Sequence, residues 1–498
     1  MQAALWFICA GLLACTDGRD ASDIRARQGS SSALEIAEAL PLPYREIWAP
    51  WTGDLDGMID RRMIRVVVPY GGYLYFFKDG QPRGAAWELA NRLETYLNKE
   101  LGRRNVKVFV VVIPLSQDLL IPALLEGHAD LIAGDLTTTE MRRENLAFTR
   151  PLLEQVDEVV VTGRGADDIE TVADLAGEEI HVPRSSSYYE HLANFTETLQ
   201  DQGLKPPAII ETDELLASED LLDLANAGMI DMTVLDDYKA EFWAGVFPNI
   251  EVREDLVVHE GGSIAWAVRK ESQQFLAQLN EFLRQYGRGT LVGNDTYNRY
   301  LDDARELRCS SGITRGKRLE KLATVFQQYG DQYGFDWLQL AAQGFQESKL
   351  RQSRKSSAGA IGIMQIKPST ARDPNVGIED ISEADGNVHA GTRYMRFLVD
   401  RYFSDSDIKE LDRWLLALAA YNAGPSRVMS LRNEAKNSGY DPDVWFNHVE
   451  IIAAKRIGSE TVTYVSNIFK YYTGYQMAFA NFKESEKRFG DAVSSCVR

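Results

Sequence analysis

The stretch DWLQLAAQGFQES, residues 336–348, predicts one amphipathic helix that carries a single carboxylate near its end. Asp336 is a suitable N-cap, because its carboxylate can accept the unpaired backbone N–H groups of the first turn. Leu340, Gly344 and Glu347 fall on one stripe by the i, i+4, i+7 spacing. Glu347 is therefore expected beside apolar or absent side chains, where desolvation raises its pKa towards neutrality and suits it to general acid catalysis.

Three later segments accompany this helix. A glycine-rich run, GAIGIMQ, covers residues 359–365, AYNAGP covers residues 420–425, and ETVTYV covers residues 460–465. Together with QES at residues 346–348, and in this order, they resemble the catalytic domain of the lytic transglycosylases, relatives of goose-type lysozyme that cleave bacterial peptidoglycan. The resemblance implies a mostly α-helical, lysozyme-like domain over residues 310–498, which agrees with the long helical periodicity there.

The resemblance also implies a reaction in which one glutamate serves twice. Glu347 first acts as acid and then as base on the β-1,4 bond between N-acetylmuramic acid and N-acetylglucosamine. The N-acetyl group of the sugar assists and its 6-hydroxyl closes a 1,6-anhydro ring, so the second carboxylate of ordinary glycosidases is not needed. The residues that the resemblance places around the glycan strand are Ser348, Gly359, Gly362, Met364, Gln365, Tyr421, Asn422, Glu460 and Tyr464.

Two other functions stay open on the sequence alone. A lysozyme-type peptidoglycan hydrolase needs the same acid, Glu347. A non-catalytic receptor would bind a solute with the front of the chain and grip the cell wall with the helical domain. The product ends distinguish the first alternative, and the effect of replacing Glu347 distinguishes the second.

Residues 46–305 alternate short apolar strands with helices. RVVVP at residues 65–69 and LIAG at residues 131–134 are typical of buried strands, and residues 85–101 have helical spacing. Such alternation predicts parallel α/β layers. This body resembles the periplasmic solute-binding proteins that bind amino acids, and the segments that carry the resemblance are DLIAGDLTTTE at residues 130–140, AFTRP at 147–151, DLAG at 174–177 and IAWAVRK at 264–270.

The second resemblance implies two lobes with a ligand between them, lobe 1 at about residues 62–160 and 262–300 and lobe 2 at about residues 161–261. Arg142 is the best candidate to hold a carboxylate, because a guanidinium can grip both oxygens. Beside Arg143 and Glu144 it is also what a solvated, salt-bridged face contains. An amino acid or a muropeptide would fit as ligand. The implied ligand residues are Tyr70, Tyr75, Thr137, Thr139, Arg142, Ser186, Ser187 and Asp236.

The charge of the chain is divided unequally. The net charge is -19, but residues 310–498 contain 25 Lys+Arg and 22 Asp+Glu, which leaves 29 and 51 for the preceding part. Such a difference suggests separate domains, and the acidic body argues against nucleic acid as a partner. No His/Cys cluster has zinc spacing, and the glycine-rich runs lack the lysine of a phosphate-binding loop. We therefore predict no metal and no organic cofactor.

The N-terminus resembles a bacterial lipoprotein signal. Residues 1–14 are apolar without an acidic residue and lead to LLAC, with Cys15 as the expected lipidated residue. Residues 16–45 are polar and irregular, as in a tether. Thr16 after the cysteine favours anchoring at the periplasmic face of the outer membrane.

Two cysteines, Cys309 and Cys496, then remain in the mature chain, on either side of the C-terminal domain. In an oxidising compartment we predict a disulfide between them. Two separate buried thiols are the alternative, because free cysteine packs as a small apolar residue.

Overall fold

The computed structural model describes residues 48–301, except 79–80, 164–165, 167–168, 202 and 215, and residues 317–489. The expected signal at residues 1–15, the tether at residues 16–45, the lipidation site Cys15 and the predicted pair Cys309 and Cys496 lie outside these ranges. They stay predictions.

The first part of the chain is an α/β body, as predicted. Its strands are β1 (Met63–Pro69), β2 (Phe76–Lys78), β3 (Gln81–Arg83), β4 (Phe109–Leu115), β5 (Leu131–Thr137), β6 (Leu146–Phe148), β7 (Leu153–Thr162), β8 (Glu179–Pro183), β9 (Ala208–Thr212), β10 (Met232–Asp236) and β11 (Glu251–Arg269). Its helices are α1 (Leu55–Asp60), α2 (Ala85–Glu100), α3 (Gln117–Leu125), α4 (Glu140–Arg143), α5 (Ser187–Asp201), α6 (Ser218–Ala227), α7 (Asp237–Ala244), α8 (Gln273–Tyr286) and α9 (Leu291–Leu301).

One long sheet runs through both lobes in the order β4-β1-β5-β11-β7-β10-β8-β9, and β6 also pairs with β11. In lobe 1, β1 is parallel to β4 and β5, and Val67 lies opposite both Ile113 and Ile132. In lobe 2, β8 is parallel to β10 and β9. The long antiparallel pair β7 and β11 connects the halves. The cleft then forms where parallel strands end, because β5 finishes at Thr137 and β10 at Asp236.

The second part of the chain is mostly helical, as predicted. Its helices are α10 (Lys317–Tyr333), α11 (Trp337–Ser348), α12 (Pro368–Ala371), α13 (Ala384–Tyr402), α14 (Glu410–Ala423), α15 (Pro425–Asn437), α16 (Glu450–Arg456) and α17 (Ser459–Phe489). Helix α17 packs against α11, where Phe345 and Tyr471 make an edge-to-face contact with ring centroids 4.7 Å apart. It also packs against α14 through Trp414 and Tyr472.

Helix α17 and the segment before α16 also contact lobe 1. Both terminal nitrogens of Arg62 donate to the Glu450 carboxylate, at 2.6 and 2.9 Å, and both side chains are buried. Rings meet across the same boundary, with Phe109 against Phe446 and Phe77 against a ring of α17, Tyr475. Lobe 1 and the helical domain therefore share one continuous apolar core.

Candidate active site and ligand cleft

Glu347 lies in the last turn of α11, on a face that the fold covers. The predicted N-cap is confirmed, because Oδ1 of Asp336 accepts the Leu338 N–H at 2.9 Å. The helix ends at Lys349, whose φ is 56°. The Glu347 side chain is half-buried, and desolvation raises its pKa to about 7. A carboxyl group with this pKa still holds its proton close to neutral pH, as a general acid must.

Two tyrosines border Glu347. The Tyr464 hydroxyl, from the first turns of α17, donates to Glu347 Oε1 at 2.6 Å, and this bond partly offsets the raised pKa because it stabilises the carboxylate. Tyr421, from α14, donates its hydroxyl to the Met364 carbonyl at 2.7 Å. Desolvation, followed by the charge of Glu347, raises the pKa of both phenols well above the usual value. Both stay neutral hydrogen-bond donors beside the acid.

The glycine-rich loop is fixed by Asn387 of α13. Its Oδ1 accepts the Met364 N–H at 2.8 Å, and its amide donates to the Ile361 carbonyl at 3.0 Å. Gly362 has a φ of 80°, and a Cβ there would lie 2.2 Å from the Asn387 amide. The Met364 side chain is fully buried against Gly391. The loop therefore needs glycine at its closest approach to α13. Met364 is buried, with its N–H bonded to Asn387 and its carbonyl to Tyr421, and the sugar contact expected of it stays a prediction.

Ser348 and Gln365 use their polar groups on nearby backbone. The Ser348 hydroxyl donates to the Ile363 carbonyl at 2.9 Å and accepts the Arg351 N–H at 3.0 Å. The Gln365 amide donates to the Gly362 carbonyl at 2.8 Å. These bonds hold the loop against the end of α11, and the sugar contacts expected of both residues stay predictions.

Asn422 and Glu460 lie at the surface, near Tyr421 and Tyr464 in the chain. Oδ1 of Asn422 accepts the Thr461 hydroxyl at 2.7 Å, which joins the end of α14 to the start of α17. Both Asn422 and Glu460 are exposed and accessible to a glycan strand. Their roles stay predictions.

Sequence reasoning missed three residues that shape this site. Asn387 holds the glycine-rich loop and Thr461 holds Asn422, and no local pattern indicates either contact. Gln343 is fully buried one turn before Glu347. Its i, i+4 spacing to Glu347 was the available signal, because residues with this spacing share a helix face.

In the cleft of the front body, Arg142 is engaged by protein groups. Its Nη1 donates to the Thr137 carbonyl at 2.9 Å, its Nη2 to the Ser185 carbonyl at 3.0 Å, and its Nε lies 3.3 Å from a Glu190 carboxylate oxygen. Arg142 is only 6 % exposed, so it does not belong to a solvated face. It joins lobe 1 to lobe 2, because Ser185 and Glu190 belong to lobe 2.

Asp236, at the end of β10, is buried and paired. Nζ of Lys239 lies 2.7 Å from Asp236 Oδ2. Burial disfavours the charge on Lys239, but the neighbouring Asp236 outweighs burial and raises the pKa of Lys239. Lys239 and Glu190 were not foreseen from the sequence, although the spacing of three residues between Asp236 and Lys239 permits their pairing on α7.

The hydroxyl groups of the remaining serine and threonine ligand candidates form hydrogen bonds within the protein. One bond crosses the cleft, and the others lie at the starts of α4 and α5. Ser187 donates its hydroxyl to Thr137 Oγ1 across the cleft at 3.0 Å. Thr139 caps α4 by accepting the Arg142 N–H at 3.2 Å, and the Ser186 hydroxyl accepts a backbone N–H in the first turn of α5 at 3.2 Å.

The two predicted aromatic contacts are placed differently. Tyr70 is half-buried, and its ring lies 6.4 Å from that of Tyr75. Tyr75 is fully buried against Phe77 and Trp87. A Cβ at Gly474 of α17 would lie 2.7 Å from the Tyr75 hydroxyl. The structure therefore places Tyr75 at the boundary with the helical domain and does not group it with Arg142.

Two absences concern only the described ranges, residues 48–301 and 317–489 with the gaps given above. No cluster of three or more His, Cys, Asp or Glu side chains there could hold a metal ion. No helix there has both the length and the apolar character needed to cross a membrane.

Comparison with known proteins agrees with this division of the chain. Residues 64–299 match the family of bacterial extracellular solute-binding proteins, family 3, and residues 324–444 match the transglycosylase SLT domain. An ancestral arginine-binding protein bound to arginine shares 24 % identity, with a TM-score of 0.39, over 48 % of this chain and 97 % of that one. The two family matches define the class of protein, a transglycosylase-domain protein with a body of the solute-binding type in front.

Curated relatives match along most of the chain. A membrane-bound lytic murein transglycosylase F from Desulfosudis oleivorans is 28 % identical over 80 % of this chain and 86 % of its own length. A protein of the same name from Shewanella woodyi is 29 % identical over 83 % of this chain and 85 % of its own. Along most of its length the chain is therefore similar to proteins named membrane-bound lytic murein transglycosylase F, and it joins a segment that matches the family 3 solute-binding proteins to a segment that matches the SLT domain.

Proposed function

We propose that this chain is a peptidoglycan lytic transglycosylase that cleaves the β-1,4 bond between N-acetylmuramic acid and N-acetylglucosamine and leaves 1,6-anhydromuramoyl ends. The observation that carries the proposal is Glu347, half-buried, with a pKa of about 7 and a 2.6 Å hydrogen bond from Tyr464. Such a group can give a proton to a departing oxygen and take one back at the same pH.

The reaction balances with Glu347 as the only ionisable catalyst. Protonated Glu347 donates to the glycosidic oxygen while the N-acetyl oxygen of the muramoyl sugar attacks C1, and N-acetylglucosamine leaves as the alcohol. The Glu347 carboxylate then removes the proton of the 6-hydroxyl, whose oxygen attacks C1 and displaces the N-acetyl oxygen. Glu347 finishes protonated and no water is consumed.

The electrostatic surroundings of Glu347 support assistance by the substrate. Among the described residues, those that shift its pKa include Tyr464 but no second carboxylate. A protein nucleophile would need a second carboxyl group within roughly 5 Å, and an inverting hydrolase would need one at roughly 6.5–9.5 Å. This favours a reaction in which the sugar supplies the nucleophile.

The test is digestion of purified peptidoglycan by the full chain and by Glu347→Gln, with mass spectrometry of the products. We expect anhydro ends from the parent and a loss of about 100- to 10,000-fold in the variant. Glu379→Gln, at an exposed glutamate of the same domain, is the matched control. Reducing ends would identify a hydrolase, an unchanged rate for a folded Glu347→Gln would show that Glu347 is not the acid, and no cleavage by the folded parent would identify a non-catalytic receptor.

We also propose that the front body binds a ligand that modulates the enzyme, either an amino acid or a muropeptide. The pairing of Lys239 with Asp236 favours the muropeptide. The first amino group of its stem peptide is acylated, so that end of the ligand brings no ammonium to Lys239, whereas a free amino acid always brings one beside its carboxylate. Calorimetry with free amino acids and with muropeptides tests this, and heat from neither would contradict a ligand-binding role.

We propose further that the chain is a lipoprotein anchored through Cys15 to the periplasmic face of the outer membrane. The apolar residues 1–14 before the cysteine support this, as does the description of the relatives as membrane-bound. Cys15→Ala should move the protein from the membrane fraction to the soluble fraction.

Thiol titration of the unfolded, unreduced mature chain tests the disulfide between Cys309 and Cys496, because two free thiols would exclude it.

A further inference from the structure

Gln343 is a buried polar side chain that the proposed reaction does not use. It is fully buried in α11, and neither its amide nitrogen nor its amide oxygen completes a hydrogen bond of good distance and angle with any described residue. A buried amide without partners destabilises a fold, since its hydration is lost without replacement. Such a residue calls for an explanation in terms of function.

The neighbour of this amide is the Tyr464 hydroxyl. Gln343 precedes Glu347 by four residues and so shares a face of α11 with the carboxyl group that Tyr464 contacts. Its amide acts on Tyr464 as a donor that favours the phenolate, although the two groups do not complete a hydrogen bond of good geometry. The Tyr464 hydroxyl proton is already used, because it is donated to Glu347 Oε1 at 2.6 Å. The oxygen of Tyr464 keeps lone pairs that can accept from the amide.

We propose that Gln343 is a positioning residue for the catalytic acid: its amide N–H donates to the Tyr464 oxygen and thereby directs the Tyr464 hydroxyl at Oε1 of Glu347. The Tyr464 hydroxyl already donates to Glu347 Oε1, and a second bond, accepted by its oxygen from a fixed direction, would hold it in that orientation. With Oε1 occupied by Tyr464, the acid proton of Glu347 resides on Oε2, from which it can pass to the glycosidic oxygen. Chains of hydrogen bonds also strengthen one another in a buried site.

The proposal requires that other groups near Glu347 do not set the direction of Tyr464. The titratable groups that face Glu347 are Tyr464 from α17 and Tyr421 from α14. The Tyr421 hydroxyl proton is directed to the Met364 carbonyl. Among the described polar side chains of α11, Gln343 is thus the one that acts on Tyr464 besides Glu347 itself.

This inference rests on the proposed function, and the experiment separates the two. Digestion by the parent enzyme establishes the activity first. Gln343→Leu is then measured across pH in the parent and in a Tyr464→Phe background, together with the pKa of Glu347 from carboxyl 13C NMR. Gln339→Leu, at another buried glutamine one turn earlier on α11, is the matched control.

We expect Gln343→Leu to lower the plateau rate several-fold and to raise the pKa of Glu347, with the alkaline limb of the rate, by up to about one pH unit. In the Tyr464→Phe background the same substitution should change neither the pKa of Glu347 nor the position of the alkaline limb. Gln339→Leu should leave the limb in place. If Gln343→Leu is unstable, Gln343→Met, unbranched and of similar length, provides a second apolar variant.

Two results would overturn the proposal. One is that Gln343→Leu keeps the alkaline limb and the Glu347 pKa of the parent. A purely structural role for Gln343 predicts that outcome, whatever the change in stability. The other is an equal pKa shift with and without Tyr464, which would mean that Gln343 acts on Glu347 by another route. If the parent cleaved no peptidoglycan but Gln343→Leu still raised the pKa of Glu347, the result would contradict the proposed function and leave the positioning role of Gln343 intact.

Discussion

The Tyr464 hydroxyl donates to Glu347 Oε1 at 2.6 Å, and this bond joins residues 117 positions apart in the chain. Glu347 ends α11 and Tyr464 lies near the start of α17, so the state of the acid depends on how these two helices pack. Helix α17 continues past the site to lobe 1, where Lys470 pairs with Glu94. One helix therefore contacts both the acid and the front body.

Replacing this tyrosine should shift the pH dependence of cleavage upward. The reaction needs protonated Glu347, so the rate should fall as pH rises through about 7. Tyr464→Phe removes a hydrogen bond that stabilises the carboxylate, so the pKa of Glu347 should rise. The fall in rate should then occur at a pH higher by roughly 1–2 units, the effect of one hydrogen bond to a charged group. Rates from pH 5 to 9 check this, and a limb that stays in place would contradict the role of Tyr464.

The same carboxyl group should make stability depend on pH. The pKa of Glu347 lies at about 7 in the folded chain and at 4.5 ordinarily. Glu347 therefore contributes its full share to the free energy of unfolding below pH 4.5, and this contribution is lost as pH rises through about 7. Glu347→Gln should be more stable than the parent above that pH by up to about 3 kcal/mol. Urea unfolding at pH 5 and pH 8 measures the difference, and an advantage that is equal at both would exclude the shift.

Gly362 and Gly359 form a matched pair for the glycine-rich loop. Their φ values are 80° and 82°, but a Cβ at Gly362 meets Asn387 at 2.2 Å while one at Gly359 meets nothing within 4 Å. Gly359→Ala should cost about 1–2 kcal/mol through its backbone conformation alone. Gly362→Ala should cost more and also lower activity, because Asn387 must move. Equal losses of unfolding free energy in the two variants would count against this contact.

The buried pair of Arg62 and Glu450 should stabilise the boundary between lobe 1 and the helical domain. Arg62→Ala leaves the buried Glu450 carboxylate without its partner, which should cost about 3–5 kcal/mol. Arg456→Ala removes an exposed pair with Glu434 and should not measurably change stability. Denaturant unfolding of both variants is the measurement. A small effect for Arg62→Ala would mean that water reaches Glu450.

Lys239 should decide whether the cleft accepts a free ammonium group. Lys239→Met keeps most of the side-chain volume but frees Asp236 for a ligand cation. We expect the parent to bind free amino acids weakly and the variant to bind them at least about tenfold more tightly, the equivalent of one charge-assisted hydrogen bond. Calorimetry with a series of free amino acids measures this. Arg184→Met, at an exposed pair with Glu211, is the control, and tight binding by the parent would contradict the proposal.

The sequence was sufficient for the parts of the fold that depend on local pattern. The β-branched runs predicted the α/β body, and the long helical spacings predicted the helical domain. Asp336 was identified as an N-cap because capping is decided within one helical turn. The covered position of Glu347 followed from spacing along α11, because residues at i, i+4 and i+7 share a face whatever packs on it.

Contacts between distant segments could not be predicted in the same way. Tyr75 was expected near a ligand, but it lies under α17, because the docking of the helical domain on lobe 1 determines what covers it. Glu190 engages Arg142 across the lobes, so that pairing depends on how the lobes close, whereas Lys239 pairs with Asp236 within lobe 2.

The sequence by itself determined which residue we propose as the acid, since the helix places a lone carboxyl group among apolar neighbours. Only the tertiary structure decided how that carboxyl group is held, through the hydrogen bond from Tyr464. Helical spacing is a short-range geometric property, whereas a hydrogen bond between helices forms only after packing brings together residues 117 positions apart.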